Sequence, residues 1–177
     1  MIRFVTGNEG KVREAREYLD EPVEQVPYDY TEIQGELEEI ALYGARETFA
    51  ETDGDEPVLV DDTGLFVEAL DGFPGAYSSF VEDTLGIERI PDLVADEGNR
   101  RAAFRTVMVY YDGETAETFE GNVRGRIVEP RGEGGFGYDP VFEHDGETFA
   151  EMDTAAKNAI SHRGRALERF ADWLAER

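Results

Sequence analysis

The stretch Thr6-Gly7-Asn8-Glu9-Gly10-Lys11 joins small and polar residues to an ammonium, a combination suited to holding an anion. It follows the apolar run "MIRFVT" and precedes a helical pattern. Free backbone N–H groups and the positive end of the helix would therefore favour phosphate there. Lysine is scarce in this chain: 15 of its 17 basic residues are arginine, and the two lysines are Lys11 and Lys157. Where composition runs against lysine, the survivors mark positions at which a compact ammonium does what a planar guanidinium would not. The loop is not a P-loop. Only two residues separate Gly7 from Gly10, and Val12 follows the lysine where Ser or Thr would be needed. An ordinary strand-to-helix turn would read the same way.

Three further stretches carry chemistry. In "VDDTGLFVEAL" the carboxylates Asp61 and Asp62 are expected at the end of a hydrophobic strand, where α/β sheets present ligands, and oxygen donors of this kind suit Mg²⁺. Strand alternation turns the two side chains opposite ways, so one of them is expected to enter a site; an acidic turn is the competing reading. In "GGFGYDP" glycines permit close backbone approach, and Phe136 and Tyr138 offer faces for a base, unless they anchor the loop to the core. In "KNAISHRGR" Ser161, His162 and Arg163 open a helix as a donor-rich surface, with Lys157 just before them. Basic charge at a helix N-terminus opposes the macrodipole, which invites a functional explanation.

These stretches need elements to place them. Val12, Ala15 and Leu19 recur at helical spacing, as do Leu37, Ile40, Ala41, Ala45 and Phe49, and strand-like runs stand at "MIRFVT", "EPVEQVPYDY" and "EPVLV". This β-α-β-α-β order predicts an α/β fold. Helical patterns follow in "FVEDTLG" and "IERIPDLVADEG". A long hairpin is predicted over "RAAFRTVMVYYDGETAETFEGNVRGRIV", with Asp112-Gly113 as its turn. A last helix is predicted after Ser161, with Ala166, Leu167, Phe170 and Leu174 inward. With 177 residues and 40% hydrophobic content, one domain over 1–177 is expected. No apolar run is long enough for a membrane span and no signal peptide is evident, which predicts a cytoplasmic protein with no membrane partner. The absence of cysteine excludes disulfides and thiolate chemistry.

The net charge of −24, from 41 acidic and 17 basic residues, disfavours nucleic acid as a partner. It also strains a compact fold in dilute buffer, whereas molar salt cuts the Debye length to about 3 Å. The acids are spread along the chain, which predicts a protein from an extreme halophile.

Taken together and in order, "FVTGNEGK", "PYDYTEIQGELEEIA", "VDDTGLFVEALDGFPGAYS", "GEGGFGYDPVF" and "TFAEMDTAAKNAISHRGRAL" resemble the inosine triphosphate pyrophosphatase family across nearly the whole chain. The resemblance implies an elongated α/β fold with a central mixed β-sheet flanked by helices. It further implies Mg²⁺-dependent hydrolysis of non-standard purine nucleoside triphosphates (ITP, dITP, XTP) to monophosphate and pyrophosphate, and a homodimer. Carried onto this sequence, it assigns the triphosphate to Thr6, Gly7, Asn8, Glu9, Gly10 and Lys11, and the metal to Glu32 and Asp62. By the same resemblance Asp62 also matches the residue proposed to activate water, and Thr63 a position beside the substrate. The base falls to Phe136, Gly137, Tyr138 and Asp139, with Lys157, His162 and Arg163 as further purine contacts. Both lysines thus stand at substrate positions. One departure is Gly44, where many members carry a phosphate-contacting lysine; Arg46 is the candidate replacement. A Maf-like pyrophosphatase acting on pyrimidine nucleotides and a non-cleaving nucleotide-binding regulator are the alternatives.

Overall fold

A computed structural model describes the backbone of all 177 residues and the side chains of all but Thr154 and Asn158. Eight strands and six α-helices make a mixed α/β fold. The chain opens with β1 (Ile2–Val5), α1 (Glu9–Tyr18), β2 (Val23–Val26), α2 (Leu37–Glu51) and β3 (Val58–Val67). It continues with β4 (Pro74–Gly75), α3 (Ser78–Leu85), α4 (Arg89–Leu93), β5 (Arg101–Tyr111) and β6 (Ala116–Ile127). It closes with β7 (Phe142–His144), β8 (Glu147–Thr148), α5 (Thr154–Ile160) and α6 (His162–Ala175). The sheet order is β2-β1-β3-β5-β6-β7-β8, with β4 paired to β3. β1 runs parallel to β2 and β3, as β-α-β connections require, whereas β3 with β4, β6 with β7 and β7 with β8 are antiparallel. No helix is long and apolar enough to cross a membrane among the described residues.

The chain divides into two compact units, and it passes between them four times. Unit 1 comprises 1–62, 106–121 and 163–177; unit 2 comprises 63–105 and 122–162. The core of unit 1 is built from Ile2 and Phe4 of β1, Val12 and Ala15 of α1, Leu59, Met108, Tyr110 and Phe119 of the sheet, and Ala166, Leu167 and Phe170 of α6. These are the inward positions that the helical spacing predicts for α1 and α6. Unit 2 has its own core, in which Phe104 packs on Phe142 and Phe149 with ring centroids 4.6 and 5.6 Å apart.

One expectation fails in an informative place. β3 does not end in an acidic turn: Asp61 and Asp62 lie in the interior of a ten-residue strand. Beyond them Leu65 and Val67 keep the period-2 alternation and are fully buried in unit 2, and Leu65 and Phe66 pair with β4. Hydrophobic burial on the far side of the acidic pair therefore carries the strand through it. α4 is short: beyond Leu93 the chain continues in tighter turns, with Val94, Ala95 and Glu97 N–H groups donating three residues back to Pro91, Asp92 and Val94. α5 has no counterpart in the sequence reading.

Candidate active site

In unit 1 the loop between β1 and α1 is closed by its own side chains. Asn8 Oδ1 accepts from the Gly10 N–H (2.8 Å) and caps α1, and the Asn8 N–H donates to Thr6 Oγ1 (3.1 Å). Gly7, Asn8 and Glu9 are exposed, and a Cβ added at Gly7 would meet nothing within 4 Å, so this backbone is open to a ligand. Lys11, one turn on, reaches β3: its Nζ donates to Asp61 Oδ1 at 3.0 Å and lies 2.9 Å from Oδ2.

Asp61 is the carboxylate of the pair to which the resemblance gives no role. Its side chain is 1% exposed, and besides Lys11 it has Arg163 Nε at 3.8 Å. Arg163 is itself buried, and its Nη1 donates to Glu14 of α1 at 3.4 Å. Asp61 thus fixes the two cations of unit 1 that the resemblance assigns to substrate. Alternation holds in the sense that Asp61 turns inward while Asp62, its neighbour, is half-buried. A buried carboxylate is tolerated only with such partners. The doubled aspartate on an apolar strand, together with the rare lysine, was the available signal.

Tyr30 connects these carboxylates to Gly44. Burial first, then the charges of Asp62, Asp61 and Glu32, push the Tyr30 phenol well above its ordinary range. Its ring lies against α2: a Cβ built on Gly44 would meet Tyr30 ring atoms at 2.6 to 2.8 Å. Gly44 is therefore a close-approach glycine, and the volume that a longer side chain would use is filled by the ring. Arg46 does not take up the missing lysine's place, because it is exposed and its guanidinium sits 6.0 Å from the centre of the Tyr111 ring. Gly44→Ala is expected to destabilise the protein by about 1–3 kcal/mol, the usual cost of overpacking. A denaturant titration reads this, and an unchanged midpoint would mean that the Tyr30 ring moves aside freely.

Among the described residues, no group of three or more His, Cys, Asp and Glu side chains is arranged to hold a metal by itself. Glu32, which is exposed, and Asp62, which is half-buried on β3, are hard oxygen donors. That fits Mg²⁺, which takes one or two carboxylates and fills its remaining positions with water and phosphate oxygens.

Unit 2 holds the glycine-rich loop. Asp139 is buried and organises it: Oδ2 accepts the Phe136 N–H at 2.8 Å and is in close contact with the Lys157 ammonium. Gly135 has φ +73, and a Cβ there would run into the Asp139 carboxylate, so glycine is required for this closure. The two expected stacking rings part company. Phe136 is 60% exposed, with Lys157 Nζ 4.5 Å from its ring centre. Tyr138 is only 4% exposed, belongs to the unit 2 core, and donates its hydroxyl to the Ser78 carbonyl at 2.6 Å. Tyr138 anchors the loop and Phe136 is its open platform. Gly137, between them, also has positive φ and stands near Glu82, whose carboxyl is pushed up by burial and by Asp83 and Asp139.

The Ser161-His162-Arg163 run is not a surface. All three are buried, and the His162 ring stacks on Phe104 at 5.1 Å with 14° between planes. Thr63 follows Asp62 on β3 and is half-buried, on the unit 2 side of the division.

The Ham1 family profile matches residues 2–173. The chain is 52% identical over 182 residues to a dITP/XTP pyrophosphatase of Thermococcus kodakarensis, covering 99% of this chain and 97% of that one. It is 53% identical over 180 residues to a dITP/XTP pyrophosphatase of Methanopyrus kandleri, covering 97% and 95%. Among solved structures, a HAM1 protein from Coxiella burnetii superposes with a TM-score of 0.90 at 34% identity, over 99% of this chain and 98% of that one. The Staphylococcus aureus Ham1 protein does so with a TM-score of 0.89 at 29% identity, over 99% and 98%.

Proposed function

The chain belongs to the Ham1 family, and from that premise we propose that it hydrolyses dITP, ITP and XTP to the monophosphate and pyrophosphate. This activity keeps hypoxanthine and xanthine nucleotides out of nucleic acids. The observation that carries the reading is Lys11, held by Asp61 on β3 beside Asp62, at the end of an open, anion-friendly loop.

In this reading the backbone of Gly7 to Gly10 and the Lys11 ammonium bind the triphosphate. Asp61 keeps that ammonium in place, so its charge is positioned before substrate arrives, and little reorganisation is needed as charge grows on the leaving oxygens. Glu32 and Asp62 are the residues that would hold Mg²⁺, which supplies neutralisation of phosphate charge when bound. Asp62 accepts the proton of the water that attacks the α-phosphorus, and pyrophosphate leaves. Phe136 supplies the stacking face for the purine. Lys157, His162 and Arg163 are read as the polar side of base recognition. The 6-oxo group of hypoxanthine or xanthine accepts from such donors, whereas the 6-amino group of adenine leaves them unpaired, a difference large enough to discriminate strongly. Arg163 has five N–H donors, so its engagement with Glu14 and Asp61 does not exhaust them.

We read the protein as a homodimer and, from its charge of −24, as adapted to a salt-loaded cytoplasm. The test is pyrophosphate release from ITP, XTP, GTP and ATP with Mg²⁺, in molar KCl and in dilute buffer. Rapid release from ITP and XTP with little from GTP or ATP is expected, with activity lost in dilute salt. Equal release from all four would overturn the substrate assignment, and full activity in dilute buffer would overturn the halophilic one.

A further inference from the structure

Four charged side chains of unit 1 form one alternating row: the Lys11 ammonium, the Asp61 carboxylate, the Arg163 guanidinium and the Glu14 carboxylate. Three of them are deep in the fold, with Asp61 1%, Arg163 9% and Glu14 13% exposed. Such a row is expected to be tightly bonded, because water does not reach it to replace a missing partner. The Lys11 end is: its Nζ donates to Asp61 Oδ1 at 3.0 Å and lies 2.9 Å from Oδ2. The Arg163 end is not. Nη1 reaches Glu14 Oε2 at 3.4 Å, and Nε stops 3.8 Å from Asp61 Oδ2. Asp61 Oδ2 and Arg163 Nε are both buried, and among the described residues neither finds a hydrogen-bond partner.

An orphaned donor facing an orphaned acceptor needs a physical reason, since each has lost its hydration without gaining a bond. An N–H···O bond closes at about 2.9 Å, so a shift of about 1 Å would satisfy both atoms at once. The ammonium is what holds them apart. Asp61 has one negative charge and two cations beside it, and Lys11 takes the shorter contacts. A small rotation of the carboxylate toward Arg163 becomes favourable when Lys11 lets go. Lys11 is also the member of the row that solvent reaches most, at 23% exposed, and it follows the exposed residues Gly7, Asn8 and Glu9. An anion on that loop therefore competes with Asp61 for the ammonium.

We propose that Asp61 is a switchable counter-ion: a bound phosphate chain draws the Lys11 ammonium away, Asp61 closes on Arg163, and the guanidinium is thereby fixed for reading the base. Resting on the assignment of the phosphates to Lys11 and of the base to Arg163, the switch makes the second act depend on the first. Asp61 is then a positioning residue that acts through Arg163. A charge-assisted bond formed in a buried site is stronger than the long contacts it replaces, so base selection is strongest while the phosphates are in place. Once pyrophosphate leaves, Lys11 returns to Asp61, Arg163 slackens, and the nucleoside monophosphate is released. Nucleosides, which lack phosphates, bind weakly even when their base is the right one.

The test is calorimetric titration with inosine and with adenosine, in molar KCl with Mg²⁺, each with and without saturating inorganic pyrophosphate. Pyrophosphate should tighten inosine by about fivefold or more and leave adenosine unchanged, and inosine should tighten pyrophosphate by the same factor. Lys11→Met releases Asp61 to Arg163 permanently. That variant should bind inosine alone as tightly as the unmodified protein binds it with pyrophosphate, a gain that a merely structural Lys11–Asp61 pair would not produce. Arg163→Lys keeps a charge without the guanidinium fork, and it should bind inosine weakly in both conditions; it decides the matter should Lys11→Met fail to fold. Inosine affinity unchanged by pyrophosphate in the unmodified protein overturns the proposal, and the substrate reading survives this if ITP is still cleaved faster than ATP. Equal tightening of both nucleosides overturns it as well, since that would reflect contact between the ligands themselves. If ITP and ATP are cleaved at equal rates, the substrate reading fails and the proposal falls with it.

Discussion

Asp62→Asn is expected to lower turnover of ITP by about 10²- to 10⁴-fold, the usual contribution of a positioned general base. The substitution is nearly isosteric and falls at a half-buried position of β3, so thermal melting should move little. Asparagine keeps an oxygen donor but loses the charge that neutralises a metal and the basicity that takes a proton. The loss should therefore appear mainly in kcat. Asp61→Asn is the instructive companion. Asp61 is the buried partner of Lys11 and Arg163, so its neutralisation should destabilise the fold and raise KM through a misplaced ammonium. If Asp62→Asn retained near-normal turnover while Asp61→Asn lost it, the two adjacent carboxylates would have to exchange roles.

Asp139→Ala should produce the largest effect in unit 2. The carboxylate is 5% exposed and carries both the Phe136 N–H and the Lys157 ammonium. Removing one member of a buried pair strands the other, at a cost of about 3 kcal/mol. Phe136 would lose the bond that orients its backbone, and Lys157 its place over the ring, so KM for ITP should rise tenfold or more with kcat less affected. Asp139→Asn keeps an acceptor for the Phe136 N–H and removes only the charge. Denaturant midpoints together with KM for the two variants therefore separate loop closure from the hold on Lys157. Equal and small effects in both would mean that the loop is set by its glycines alone.

Much of this was legible in the sequence because it rests on local physics. The inward faces of α1 and α6 follow from the spacing of Val12 and Ala15 and of Ala166, Leu167 and Phe170. The hairpin follows from Asp112-Gly113 between two alternating runs. What sequence could not supply is which member of a pair the tertiary structure uses. Phe136 and Tyr138 are two residues apart in one glycine-rich loop, and only packing against Ser78 and the unit 2 core decides that Tyr138 is the anchor. His162 and Arg163 look like exposed donors until Phe104, Glu14 and Asp61 arrive from distant parts of the chain. The Tyr30–Gly44 contact is likewise non-local, and it turns an apparent gap at Gly44 into a filled space.

The interleaving of the two units bears on how the protein is made. Every residue of unit 2 has been translated by position 162, before α6 is made, so its core of Phe104, Phe142 and Phe149 does not wait for the last helix. Unit 1 begins first yet finishes last: Phe4, Val12 and Leu59 wait for Ala166, Leu167 and Phe170 of α6 before their shared core is complete. Nascent chains generally fold by unit in the order of translation. Here the order is reversed, and the loop with Lys11, translated among the first residues, acquires its packed support only after the last helix has emerged.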